Sequence, residues 1–187
     1  MKRSTVITLI ILLLILLCVG WFAWQTFNKS EIDPTIVSPA AQALAPTATS
    51  STYTDFNGNQ ADLARHQNKV IVAHSWASWV PTSDRTLREL SALQAQYPDD
   101  VQVLAINRAE RQRTAQQFIE QVGVTNIELI ADPTDYYFET IGGQAMPETV
   151  FYDVAGNIVH HKRGVISATE LQRYTDIALQ VREEVGQ

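Results

Sequence analysis

The chain has 187 residues, 45% of them hydrophobic, with a formal net charge of −6 and a pI near 5.1. That length holds one ordinary domain plus an appendage, and the acidic balance argues against a nucleic-acid partner recognised through its phosphates. A single cysteine, Cys18, excludes an intramolecular disulfide, a Cys-x-x-Cys redox centre and a cysteine-based zinc site, and neither a cofactor nor a metal is expected.

In chain order, Lys2 and Arg3 precede Val6 to Trp24, an apolar run without charge, proline or asparagine. Its length of about 19 residues is enough to cross a hydrocarbon core of ~30 Å. Trp21, Phe22 and Trp24 stand at its far end, where interfacial aromatics gather, and Glu31 and Asp33 follow. The charge asymmetry predicts a single-pass anchor over residues 6–24, inside a segment of residues 1–28, with the remainder extracytoplasmic, on the periplasmic or extracellular side. A cleaved signal peptide is the competing reading. Its small-x-small pattern appears only at Ala43-Leu44-Ala45, well past the apolar run, with Pro46 directly behind. A lipoprotein site needs a small residue before Cys18, and Leu17 stands there. Residues 29–52 are Ser-, Thr-, Pro- and Ala-rich and read as a flexible tether; the folded domain is expected over residues 53–187.

Within the domain, Val70 to Trp76 is a short apolar run fit for a buried strand. Leu87, Leu90, Leu93 and Tyr97 recur at helical spacing from about Thr82. Val101 to Ile106 predicts a second strand, and Thr114 to Val122 a helix ended by Gly123 as C-cap. A short strand at Ile127–Ile130 and a short helix at Asp135–Ile141 follow. Glu148–Tyr152 and Ile158–Lys162 flank Ala155-Gly156-Asn157, a hairpin signal. Ser167 and Glu170 form a capping-box pattern ahead of a last helix. This alternation predicts an α/β fold with a central mixed sheet and helices on both faces.

The most informative stretch is His74-Ser75-Trp76-Ala77-Ser78-Trp79-Val80-Pro81-Thr82-Ser83, a strand entering a turn and then a helix. It resembles the thioredoxin superfamily, specifically the membrane-tethered branch of TlpA/ResA-type thiol-disulfide oxidoreductases (redoxin/AhpC-TSA-like), which carries Trp-Ala-x-Trp-Cys-Pro-x-Cys at this junction. Phe56-Asn57-Gly58 with Ala61-Asp62-Leu63 resembles that family's opening turn and short helix. Gly142 to Asp153, containing Met146-Pro147-Glu148-Thr149, resembles its proline segment, and Arg163-Gly164 resembles the end of its sheet. The resemblance implies a thioredoxin-like fold, a cis bond before Pro147, and a backbone edge beside it that pairs with an extended substrate.

The departures are chemical. Val80 and Ser83 stand where the resemblance places two cysteines, and Asp84 and Thr86 stand where it places a basic residue and an acid. Thiol exchange needs a thiolate of lowered pKa and a second thiol to resolve the mixed disulfide. Residues Val80, Pro81, Thr82 and Ser83 are therefore read as a degenerate active site with no catalytic residue. Trp76, Trp79, Met146 and Pro147, together with Val80 and Pro81, are read as a groove for an extended peptide or protein partner.

Other chemistry-bearing residues carry weaker readings. A nucleophilic Ser83 needs a base within hydrogen-bond reach, and His74, nine positions earlier along the chain, is poorly placed to be one; Thr82 or Ser83 is expected to cap the helix instead. His160 and His161 are adjacent on a strand and point to opposite faces, and neither His66 nor His74 is spaced to join them at a metal. Glu110, Arg111 and Arg113 read as a solvated face; with Arg108 these arginines are the one local basic cluster, and a reader of acidic partners is not expected. The expected role is a non-catalytic binding or scaffold module in envelope redox or protein assembly. The alternative is a thiol-disulfide oxidoreductase or antioxidant acting in cell redox homeostasis.

Overall fold

The computed structural model describes residues 53–61, 63–66 and 68–185. The expected anchor over residues 6–24 and tether over 29–52 lie outside them. Among the described residues, no helix is long and apolar enough to cross a membrane.

The strands are β1 (Tyr53–Asp55), β2 (Gln60–Ala61), β3 (Val70–Trp76), β4 (Val101–Arg108), β5 (Glu128–Asp132), β6 (Glu148–Tyr152) and β7 (Ile158–Arg163). The helices are α1 (Ser83–Gln96), α2 (Gln112–Val122), α3 (Tyr136–Thr140) and α4 (Ala168–Val185), and Leu63–His66 forms a 3-10 turn. The strands make one sheet in the order β2-β1-β5-β4-β3-β6-β7. β3, β4 and β5 run parallel, whereas β6 is antiparallel to β3 and β7 to β6. The mixed sheet with helices on both faces is the architecture the alternating periodicities predict.

All seven residues of β3 are buried, because helices cover both of its faces. Val70, Val72 and Trp76 join Leu87, Leu90 and Leu93 of α1, Ile119 of α2 and Leu171 of α4 in one core. Ile71 and Ala73 point the other way, joining Leu104, Ile106, Ile130, Tyr137 and Ile141. Each buried leucine on α1 contributes roughly 1.5–3 kcal/mol by leaving water. The steps from β3 to β4 and from β4 to β5 go the same way across the sheet, and right-handed crossovers then place α1 and α2 on one face. β6 lies on the other side of β3, so the topology switches direction at β3. Its carboxyl end is where a crevice opens in such sheets.

Local signals behave as their chemistry requires. Gly123 has a left-handed φ of 77° and its N–H donates to the Ile119 carbonyl at 2.9 Å, closing α2. At α4 the Glu170 N–H donates to Ser167 Oγ at 3.2 Å, and the Ser167 N–H donates back to Glu170 Oε2 at 2.9 Å. The Asp55 carboxylate accepts the N–H groups of Asn57 and Asn59 at 2.9 and 2.8 Å and shapes the opening turn. The short strands β1 and β2 around that turn were not legible as strands.

Candidate functional site

The strand-to-helix junction carries the candidate site. β3 ends at Trp76, and residues 77–82 turn the chain into α1. Ser75 pairs in register with Glu148, the first residue of β6, so the Met146–Pro147 segment sits beside the end of β3. The Met146–Pro147 bond is cis, as the resemblance implies.

The expected groove residues divide into two layers. Trp79 is 63% exposed, Pro81 is exposed, and Met146 is half-buried. Trp76 is fully buried and stacks on Phe118 with ring centroids 5.7 Å apart, so it supports the loop from beneath and forms no surface wall. Pro147 is buried as well. The reason is register: Trp76 shares the β3 face of Val70 and Val72, which packs on the helices.

Val80 is 6% exposed and Ser83 is 1% exposed. The Ser83 hydroxyl donates to the Ala77 carbonyl at 2.8 Å, and the Ser83 N–H donates to the Val80 carbonyl at 3.0 Å. Neither Thr82 nor Ser83 caps α1 through its side chain: Thr82, at the N-cap, makes no side-chain capping bond, and its buried Oγ1 has no partner among the described residues. The expectation of a side-chain cap is therefore corrected. The Ser83 hydroxyl is committed inward to the preceding turn, and Thr82 has a backbone conformation of φ −103° and ψ 0°, away from the extended geometry that aims a capping hydroxyl.

His74 gives Ser83 no base. Its Nδ1 is hydrogen-bonded to Thr149 Oγ1 at 2.8 Å, its Nε2 has no partner among the described residues, and the ring is fully buried. Burial lowers its pKa to about 4, so the imidazole is neutral at pH 7. The other histidines are dispersed. His66 pairs with Glu128 at 2.8 Å, His160 stacks on Tyr174 at 3.5 Å, and His161 pairs with Glu148 at 2.6 Å. Among the described residues no group of three or more His, Cys, Asp or Glu side chains is placed to hold a metal.

Two carboxylates fasten the site, and sequence reasoning missed both roles. Glu110, in the loop after β4, accepts the Ser78 N–H at 3.1 Å, the Ser78 hydroxyl, and the Asn107 amide at 3.0 Å. Glu148 is fully buried; its Oε1 accepts the N–H groups of Gln144 and Ala145 at 2.7 and 2.6 Å, while Oε2 meets His161. A charge inside an apolar strand was the available signal for Glu148. Glu110 gave none, because Ser78, which it ties to its own loop, lies 32 positions away in sequence. A surface cleft of about 470 Å³ opens beside the far end of α2, lined by Phe56, Ile119, Val124 and Leu129 among others, and no residue of the Trp79 loop borders it.

A buried parallel strand, a tight turn into a helix and an adjoining cis proline define a thioredoxin-fold domain. Residues 40–177 match the Redoxin family model, and the chain belongs to that family. It is 22% identical over 176 residues to the thiol-disulfide oxidoreductase ResA of Geobacillus kaustophilus, covering 94% of this chain and 96% of that one. In fold it is similar to the exposed lipoprotein thioredoxin of Streptococcus pneumoniae, with a TM-score of 0.61 and 19% identity over 66% of this chain and 96% of that one. A secreted disulfide oxidoreductase of Mycobacterium tuberculosis is also similar, with a TM-score of 0.59 and 22% identity over 66% and 92% of the two chains.

Proposed function

We propose that this protein is a membrane-tethered, extracytoplasmic redoxin-family domain that binds an extended segment of a protein partner without performing thiol exchange. The observation that carries the reading is the pair Val80 and Ser83. One side chain has no nucleophile, and the other hydroxyl is buried and bonded to the Ala77 carbonyl, in a chain whose one cysteine is Cys18. Beside that pair, three features support a binding surface: exposed Trp79, the cis Met146–Pro147 bond, and carboxylates bracing both loops. Backbone pairing at a sheet edge requires no thiol.

The tether rests on the apolar run of residues 6–24 and its flanking charges, which support a location outside the cytoplasm. Anchoring raises the local concentration of a weak binding surface. The similar pneumococcal protein is described as an exposed lipoprotein, in keeping with that location.

A photo-crosslinking residue at Trp79 in intact cells tests the reading, with exposed Gln180 on α4 as control. A discrete adduct from Trp79 alone supports it; no adduct, or equal labelling from both positions, sinks it. The second reading, a thiol-disulfide oxidoreductase, is favoured by the relatives' activity. Insulin-disulfide reduction by the full chain above background would establish it and overturn the non-catalytic role.

A further inference from the structure

Resting on the peptide-binding reading, we propose that the Trp79 surface is filled, until a partner arrives, by the chain's own tether. Residues 39–49 lie across this end of the sheet, with Leu44 seated between Trp79 and Val165. The strand register shows where the tether joins the domain. Thr54 on β1 stands level with Ala131 on β5, Ala131 with Asn107 on β4, and Asn107 with Trp76, the last residue of β3. β1 runs against β5, so Tyr53 lies beyond that row, at the same end of the sheet as the Trp79 turn. The Tyr53 ring meets Tyr136 and Tyr137, which follow the end of β5, at centroid distances of 5.8 and 6.2 Å. The chain therefore enters its folded domain at the end that carries the candidate site.

The same end gathers exposed apolar surface. Among the described residues the exposed large hydrophobic side chains are Trp79, Tyr136 and Val165. Trp79 comes three residues after β3, Tyr136 four after β5 and Val165 two after β7. β7 runs with β3 because each is antiparallel to β6, and Ser75, Glu148 and Arg163 stand level across the three strands. The turns that hold Trp79 and Val165 both lead into helices, α1 and α4, packed on the Trp76 face of the sheet. Half-buried Met146 precedes β6, the strand between β3 and β7. Tyr136 is met by Tyr53, which leaves Trp79 and Val165 as the apolar pair for an occupant.

The tether has the reach and the chemistry to be that occupant. From β1 to β3 the sheet spans three strand spacings, about 14 Å, and from β1 to β7 five, about 24 Å. Leu44 lies nine positions before Tyr53, a stretch that extends to ~30 Å. It is the one large apolar residue between Ser38 and Tyr53, and no charge stands between Asp33 and Asp55. Pro39 and Pro46 favour an extended polyproline shape, a preformed conformation that docks on aromatic-lined grooves at low entropic cost. Ala43 and Ala45 on either side of Leu44 let the backbone approach the Trp79 ring closely.

The test uses the full-length chain in uncharged detergent and compares wild type with Leu44→Asp. Hydroxyl-radical labelling of Trp79 is read by mass spectrometry against buried Trp76. A tether at an effective concentration of ~1 mM that fills its site about nine-tenths of the time protects Trp79 roughly tenfold. Labelling is expected to rise by that factor in Leu44→Asp, with the thermal midpoint unchanged. A photoreactive residue at position 44 is expected to crosslink within its own chain to the Trp79 turn or to Val165. Equal labelling of Trp79 in the two chains overturns the proposal, as do adducts confined to other surfaces such as Gln180 on α4. Adducts between isotopically distinct copies overturn it in favour of a second chain. Protection that appears only in phospholipid nanodiscs, alike in both variants, overturns it in favour of a lipid surface. The peptide-binding reading fails separately: tether contact without a partner adduct from Trp79 in cells supports the docked tether and sinks the partner, and a partner adduct without tether contact does the reverse.

Discussion

Ser83 donates its hydroxyl to the Ala77 carbonyl at 2.8 Å, across the turn that joins the central strand to its helix. The Ser83 side chain thus acts as an internal strut. Replacing it tests that role. Ser83→Ala removes one buried hydrogen bond, while the Ala77 carbonyl keeps the Val80 N–H at 3.1 Å. A loss of about 1 kcal/mol is expected in urea denaturation, with partner crosslinking from Trp79 unchanged. A catalytic serine would instead abolish function with little change in stability.

The same turn makes a restoration experiment informative. The Ser83 N–H donates to the Val80 carbonyl at 3.0 Å, and a turn closed this way holds its end Cα atoms within about 7 Å, close to the range a disulfide spans. The double substitution Val80→Cys with Ser83→Cys is expected to oxidise within the chain and to gain insulin-reducing activity. Thiol titration and turbidity assays read the two steps. Oxidation without activity would mean that the groove no longer accepts a disulfide substrate.

Glu148 ties the proline loop to the sheet through two backbone N–H groups and His161. Glu148→Gln keeps the volume and removes the charge that strengthens all three bonds. About 2 kcal/mol of stability should be lost, and amide exchange at Gln144 and Ala145 should quicken more than exchange in β4. Uniform acceleration across the sheet would show that Glu148 supports the whole fold and not this loop in particular.

His74 predicts a pH dependence. Its folded pKa is lowered to about 4 by burial, against an ordinary value of 6.5. Below pH 6.5 the unfolded chain takes up a proton that the folded ring refuses, so stability falls as pH drops from 6.5 towards 4 and then levels off for this group. The integrated loss is on the order of 3 kcal/mol. His160 is lowered too, by burial and then by the nearby charges of His161, Lys162 and Arg173. The diagnostic is therefore the difference between wild type and His74→Gln, whose urea midpoint should vary less over that window. Glu170 titrates lower, its pKa brought to about 2 first by the Lys162 ammonium and then by the Ser167 N–H. Its contribution is present above pH 4.5 and is lost as pH falls towards 2. Identical pH profiles for wild type and His74→Gln would remove His74 as a cause.

Much of the fold was legible because its signals are local. The apolar run at Val70–Trp76, the leucine spacing from Leu87 to Leu93, the C-cap at Gly123 and the Ser167–Glu170 box each depend on residues within a few positions of one another. The proline segment and the Trp79 turn were legible through their resemblance to a family. The inward burial of Trp76 was open to inference from strand alternation, yet its place in a motif of aromatics hid it. The Thr82 cap failed for a different reason: the motif names the residue type, whereas the backbone angles decide whether its oxygen can reach.

By itself the sequence determined that this chain forms no disulfide within itself, since Cys18 is its one cysteine. It also determined the order of strands and helices from β3 onward, because hydrophobic period and turn chemistry act over short stretches. Only the tertiary structure decided which distant groups meet. It paired His74 with Thr149, Ser78 with Glu110 and Glu148 with His161. Those meetings are fixed by strand order and register, which follow from burying two faces of one sheet at once, and no short window of sequence encodes that requirement.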